Sequence, residues 1–388
     1  MKQESLNEPK QGDMIVESGP HVTGPMTKNR LMVYTFVALT IIEVVTVVLW
    51  WPVAQSGWSL GLTAALDAVI AVLVAVSLDY LFSLGMKEKG PRNTMSAAVF
   101  GMIVALSYTL GLPILTSPEE QLLPLIAPGS FLYVAIISAV GLIVFKKLQG
   151  LLGRKYVNPA CAAKLLVLSP FVYTMLLAPL HSDVSLAKGI GYTILTGGTS
   201  SAMGSFASYI QYCFGNPSVV GAASFNSFSD SAVFQTLFLE KFHGWTGGAS
   251  ALAVLLVGIG FLIAARNYVK WRIPLSYLAT VTLMAVILTG IYGAVPGESF
   301  AQAALLRIGF ELFIGSSIFL VFFMAIDPAT TPLTMVGQGM FGVGLGVLTV
   351  LIQTYMGFLG GSILALIIMN LTVPLLDRVG IHKPFGRR

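Results

Sequence analysis

The stretch "FFMAIDPATTPLTMVGQG", residues 322–339, runs from an apolar helix into a carboxylate, two prolines and three hydroxyls, then into a glycine-rich apolar segment. Asp327 and Pro328 stop the first helix, because proline restricts the residue before it and cannot continue an interior helical ladder. Thr330, Thr331 and Thr334 then offer hydrogen bonds before the next helix starts. Apolar sequence lies on both sides at a length that spans a bilayer, so the stretch reads as a polar turn between two membrane segments. This turn poses a functional question: as a plain turn it needs no ligand, and as a site it offers hydrogen bonds to a polar aromatic ring system.

The same pattern repeats outward from it. A bilayer is spanned by roughly 20 apolar residues, and such segments occur at residues 31–53, 59–85, 94–115, 129–147, 158–180, 248–265, 273–295, 305–326, 338–357 and 359–377. The chain is 55% hydrophobic and 10% charged, against about one-quarter charged in soluble domains, which excludes a soluble fold. The expected class is an all-α integral membrane protein with about ten transmembrane helices. With the N-terminus in the cytoplasm, 19 of the 22 lysines and arginines fall on the inner side, leaving Lys188, Lys241 and Arg307 outside. That bias is the one the positive-inside rule describes. It accounts for the net charge of +5 as topology and gives no reason to invoke nucleic acid. The cell membrane is the expected location, with both termini cytoplasmic and no cleavable signal in the polar N-terminal region.

The organisation follows. A tail, 1–30, leads into a five-helix half, 31–180; a long outer connection, 181–247, precedes a second five-helix half, 248–378, and a tail, 379–388. Five spans per half start the second half on the opposite side, so the geometry permits a 5+5 inverted repeat with a site between the halves. The connection is rich in small residues ("TGGTSSAMGSF", "NPSVVGAASFNSFSDS"), which permit close backbone approach to a ligand.

Carboxylates inside spans cost about 2.5–3.5 kcal/mol each on insertion scales. Glu43 in the first segment, Asp67 in the second and Glu311 in the eighth are therefore the candidates for an ion or proton path; Asp79 lies nearer the inner end. Each also has a plain structural reading, as a carboxyl hydrogen-bonded to a neighbouring helix or kept protonated by burial. In "YVNPACAAK", 156–164, Asn158 before Pro159 reads as a helix N-cap with proline at the first helical position, near Lys155 and Lys164. Helix N-termini also attract polar ligand atoms. Two cysteines, Cys161 and Cys213, and four scattered histidines give no metal-ligand spacing, and no Ser–His–Asp set, Walker loop or Rossmann loop is present. No catalytic residue and no metal site is expected in this chain.

Five pieces in order resemble the RnfD/NqrB membrane subunits of Rnf ferredoxin oxidoreductases and sodium-pumping NADH:quinone oxidoreductases. They are "SGPHVTGPMTKNRLM", "GRKYVNPA", "KWRIPLSYLATVTL", "FFMAIDPATTPLTMVGQGMFG" and "MNLTVPLLDR", between residues 18 and 378. The resemblance implies a ten-helix inverted-repeat fold and a flavin-carrying electron-transfer role. It implies one FMN phosphoester-linked to a threonine of the outer loop and a second, non-covalent flavin, commonly riboflavin, toward the cytoplasmic side. Asn158, Asp327, Thr330 and Thr331 are then the expected contacts of the inner flavin. This sequence has no Ala-Thr-Pro-Leu in 181–247; Ala223-Ser224 stands at the comparable distance after Asn158, so the outer loop carries FMN on Ser224 or carries no covalent flavin.

The reading is an RnfD-like membrane subunit of an ion-translocating oxidoreductase, passing electrons coupled to Na⁺ or H⁺ movement. It is not catalytic alone; other membrane subunits and iron–sulfur and flavin subunits of such a complex are its expected partners, with the lipid bilayer around it. The competing readings are a non-redox channel or transporter and a flavin-free scaffold subunit of such a complex.

Overall fold

The computed structural model describes residues 27–52, 54–55, 57–85, 94–110, 127–151, 155–168, 238–239, 244–292, 299–313, 317–355 and 361–379. Ser224, most of the 181–247 connection and most of both tails lie outside them. The described chain is mostly helical: α1 Lys28–Trp50, α2 Leu60–Gly85, α3 Thr94–Ser107, α4 Gly129–Val140, α5 Pro159–Val167, α6 Ala251–Ala264, α7 Arg272–Tyr292, α8 Phe300–Phe313, α9 Met335–Tyr355 and α10 Gly361–Leu376. A π-helical stretch, Gly141–Leu148, prolongs α4, and a second, Leu320–Met324, leads into Asp327. Five described helices are long and apolar enough to cross a membrane: Asn29–Trp50, Leu60–Gly85, Gly129–Leu151, Arg272–Ile291 and Met335–Gln353. Three shorter apolar helices stand beside them, Thr94–Ser107, Ala251–Ala264 and Gly361–Leu376. The chain is a multi-pass membrane protein.

Side-chain direction agrees with a lipid environment. On α1, Val37, Ile41, Val44 and Val48 are exposed at spacings of three and four, while Leu39, Ile42, Glu43 and Thr46 on the opposite face are buried. The apolar stripe points outward and the polar groups inward, which reverses the pattern of a water-soluble helix. On α2 the buried stripe is Ala64, Asp67, Ala68, Ala71 and Ala75; these small residues let backbones approach. A Cβ at Gly101 of α3 would come within 2.7 Å of the Ala71 carbonyl oxygen, so α2 and α3 meet backbone to backbone.

The segment expected to span 94–115 is interrupted. α3 has 14 residues, about 21 Å long, short of the roughly 30 Å hydrocarbon core. After Ser107 the chain turns into β3, Thr109–Leu110, which pairs antiparallel with β4, Gly244–Trp245. (β1, Ala54–Gln55, and β2, Trp58–Ser59, form a separate two-stranded turn between α1 and α2.) Tyr108, Leu110 and Trp245 are buried. The end of the 181–247 connection, at Trp245 and Thr246, is thus part of the buried core. Extended backbone is tolerated at this depth only where its polar groups are satisfied. Here Thr246 N donates to the Tyr108 carbonyl at 3.0 Å, Thr246 Oγ1 to the same oxygen at 3.1 Å, and Thr46 Oγ1 to the Thr246 carbonyl at 2.8 Å. Lys164 of α5, expected among the inner-side cations, is instead buried here; its Nζ donates to the Ser107 carbonyl and lies 4.4 Å from the Trp245 ring centroid.

Candidate functional site

The turn after the Leu320–Met324 stretch is largely closed on itself. Asp327 Oδ1 accepts from Ala329 N at 3.1 Å, and Thr331 Oγ1 donates to the Asp327 carbonyl at 2.7 Å. Lys270, in the link between α6 and α7, donates to Thr331 Oγ1 at 2.6 Å, to the Thr331 carbonyl at 3.0 Å and to the Pro328 carbonyl at 3.3 Å. Burial holds the Lys270 ammonium below its ordinary range, at about 8, with the Asp327 and Asp377 carboxylates acting the other way. Thr334 Oγ1 accepts from Gly337 N at 3.1 Å as the N-cap of α9 and donates to the Val379 carbonyl at 2.9 Å. Asp377 Oδ1 accepts from Leu333 N at 2.8 Å. Thr330 differs from its neighbours: its hydroxyl is buried with no hydrogen-bond partner among the described residues.

Asn158 joins this turn to the first half. Its Oδ1 accepts from Ala160 N at 3.1 Å and Cys161 N at 3.3 Å, capping α5, and its Nδ2 donates to the Met324 carbonyl at 3.0 Å. Asn370 of α10 completes the joint. With its amide oriented to match its surroundings, it donates to the Thr330 carbonyl at 3.0 Å and accepts from Asn158 N at 3.1 Å.

Beside the joint opens a cleft of about 120 Å³, smaller than the roughly 300–1,000 Å³ of ordinary small-molecule sites. Phe100, Phe261, Tyr268 and Phe323 give it aromatic walls, and Lys146, Lys155, Asn158 and Asp327 give it polar edges. Lys146 donates to the Ser96 carbonyl at 2.7 Å, and neighbouring Lys147 pairs with Asp79 at 2.9 Å. A planar, polar aromatic ligand suits walls of this kind, with cations positioned for an anionic or carbonyl edge.

The span carboxylates fall into two groups. Glu43 and Asp67 lie within electrostatic reach of each other, and Asp67 reaches Tyr108 as well. Glu311 is fully buried in the second half, in reach of Tyr277, whose hydroxyl lies near Ser317 and Thr349. Gln353 Nε2 donates to Ser317 Oγ at 3.3 Å.

Residues 120–386 match the model of the NQR2, RnfD, RnfE family. The chain belongs to that family. Curated relatives match it nearly end to end. The D subunit of the Na(+)-translocating ferredoxin:NAD(+) oxidoreductase complex of Acetobacterium woodii is 25% identical over 96% of both chains. The D subunit of the proton-translocating ferredoxin:NAD(+) oxidoreductase complex of Clostridium ljungdahlii is 26% identical over 96% of both. The D subunit of the ion-translocating oxidoreductase complex of Escherichia fergusonii is 26% identical over 94% of this chain and 98% of its own.

In this NQR2, RnfD, RnfE family member, Asn158, Asp327, Thr330 and Thr331 come together from opposite halves of the sequence. Only Asn158 and Asp327 among them line the cleft, and Asn158 and Thr331 are already engaged within the protein. Lys155, singled out in the sequence beside Asn158, lines the cleft; Lys146, Lys270 and Asn370 belong to the same region, and sequence reasoning does not single them out as site residues. The lysines read as topology signals, and Asn370 stands inside "MNLTVPLLDR" with nothing to show that it faces Asn158.

Proposed function

We propose that this chain is the D-type membrane subunit of an Rnf-like ion-translocating oxidoreductase, carrying electrons through flavin in step with Na⁺ or H⁺ movement. The observation that carries the reading is the near end-to-end similarity to subunits of that kind, together with the aromatic, lysine-edged cleft at the Asn158–Asp327 joint. The relatives' names differ in the ion while their identities to this chain are alike, so overall similarity leaves Na⁺ and H⁺ both open. Iron–sulfur and flavin subunits are the proposed partners. The ten segments cross the cytoplasmic membrane as a 5+5 inverted repeat with both termini inside, and Glu43, Asp67 and Glu311 belong to the ion path.

The lining of the cleft, aromatic walls with lysine edges, is of the kind that holds a non-covalent flavin such as riboflavin. Phe100, Phe323 and Tyr268 would flank the ring, Lys146 and Lys155 would face its carbonyl edge, and Asp327 would offer a further hydrogen bond. A flavin bound there supplies the electron-transfer chemistry. The protein's own part is to hold the ring, exclude water with apolar walls, and set the local charge through the lysines and Asp327. Ser224 is the proposed attachment point should FMN also be covalently held.

Flavin analysis of the purified chain, native and after SDS denaturation, tests the reading. Release on denaturation supports the cleft site, and lower flavin content in folded Asp327→Ala puts the ring beside that carboxylate. Flavin retained on a peptide containing Ser224 marks a serine-linked FMN. An intact complex without flavin in this chain overturns the electron-carrying role and leaves a flavin-free scaffold or a channel. Cytoplasmic labelling of a cysteine engineered beside Ser224 overturns the proposed orientation.

A further inference from the structure

Among the described residues, Glu43 on α1 and Asp67 on α2 present four carboxylate oxygens that are buried and have no hydrogen-bond partner. The Tyr108 hydroxyl, past the end of α3, and Ser130 Oγ, at the start of α4, are likewise buried and partnerless; both residues are 0% exposed. Ser130 lies beside the Asp67 carboxylate, and the Asp67 charge acts on both Glu43 and Tyr108. Four elements thus turn oxygen atoms toward one buried place.

Among the described residues, the charged neighbours do not neutralise them. Lys164 of α5 is committed to the Ser107 carbonyl and the Trp245 ring. Tyr133 of α4 is the other titratable group in reach of Tyr108. The segment 244–264 contributes no acidic or basic side chain, and its Thr246 carbonyl is taken by Thr46. Burying one unpaired carboxylate costs several kcal/mol, and a second beside it adds like-charge repulsion. Two ionised carboxylates therefore do not persist here empty. Either a proton is retained or a small cation stands among the oxygens. All the available ligands are hard oxygens, carboxylate and hydroxyl, which suit an alkali cation as well as a proton and do not suit a soft metal.

We propose that Glu43, Asp67, Tyr108 and Ser130 form a single exchange site for a small monovalent cation, at which Na⁺ and H⁺ compete. The site deepens the ion-translocating reading above and rests on it. It treats the two carboxylates as one unit, so that neutralising either disables the other, and it assigns Tyr108 and Ser130 as ligands.

The test is labelling of the full chain, purified with its complex, by dicyclohexylcarbodiimide, which reacts with a protonated carboxyl in apolar surroundings. Peptide mass locates the label, with choline chloride holding ionic strength constant. The expected result is label on Glu43 or Asp67 that falls several-fold as Na⁺ replaces choline and also falls as pH rises. In Tyr108→Phe and Ser130→Ala, which keep the carboxylates and remove only the hydroxyls, more Na⁺ is needed for the same protection. Suppression by pH but not by Na⁺ overturns the exchange site and leaves only a protonatable carboxyl pair. Label indifferent to both, or no label on either peptide in folded protein, overturns the proposal. Flavin content is read on the same preparation. Flavin present with no ion-sensitive label rejects this site alone; label protected by Na⁺ with no flavin rejects the electron-carrying reading alone.

Discussion

Two buried polar regions of this molecule differ in how their hydrogen-bonding capacity is used. At the Asn158–Asp327 joint nearly every polar atom has a partner: Asn158 makes three side-chain hydrogen bonds, Lys270 makes three, and Thr331, Thr334 and Asp377 are each engaged. At the Glu43–Asp67 pair none of the four carboxylate oxygens has one among the described residues. Satisfied polar groups fasten elements together; unsatisfied buried ones are held at a cost and call for a specific reason. The joint is chiefly structural, with a cleft at its edge, whereas the pair is costly to the fold when both carboxylates are ionised.

Mutations can break or sharpen that contrast. The largest effect is expected at Asn158→Ala, which removes the α5 cap and strips the buried Met324 carbonyl of its donor, for a loss of about 3 kcal/mol. Thermal unfolding in detergent with a matched wild-type control checks it, and a loss near zero would mean the joint is not a fastener. Thr331→Val takes from Lys270 one of its three acceptors and should cost about 1 kcal/mol in the same assay.

A smaller effect is expected from pH. Lys270 titrates at about 8 when folded and at about 10.4 when unfolded. Between those values the unfolded chain binds more protons, so stability rises with pH across that window and the gain is lost as pH falls through about 8. Because Lys270 is partly exposed the slope is shallow, and Lys270→Met should abolish it in melts taken across the window. The smallest stability change is expected at Glu43→Gln and Asp67→Asn in cation-free buffer, since each neutralises a carboxylate that gains nothing from its surroundings. A penalty as large as that of Asn158→Ala would erase the contrast between the two regions. Either substitution should also remove any Na⁺-dependent rise in melting temperature, which is the linkage signature of a bound ligand.

Much of this was legible in the sequence. Asp327-Pro328 and Asn158-Pro159 mark helix boundaries because proline and asparagine act locally, and the described helices begin or end there. Glu43, Asp67 and Glu311 stand out because a carboxylate in an apolar run is unusual wherever its helix packs. The interruption of the 94–115 segment was not legible. "SYTLGLPIL" reads as apolar sequence, and only pairing with Gly244–Trp245, more than a hundred residues away, makes extended backbone tolerable there. Lys164 misleads for a related reason. A lysine near a helix start normally signals the water side, and its partners, the Ser107 carbonyl and the Trp245 ring, come from other elements.

By itself, then, the sequence determined that the chain lives in a membrane, where its apolar segments and principal turns fall, and which family it resembles. These properties follow from composition, local backbone preference and residue order. Only the tertiary structure decided which polar residues meet. It set Asn158 against Asn370 and Met324, turned Lys270 onto Thr331, and left Glu43 and Asp67 facing each other with Tyr108 and Ser130. The reason is that hydrogen bonds and charge interactions act over a few ångströms of space, and helix packing alone fixes which distant residues come within that range.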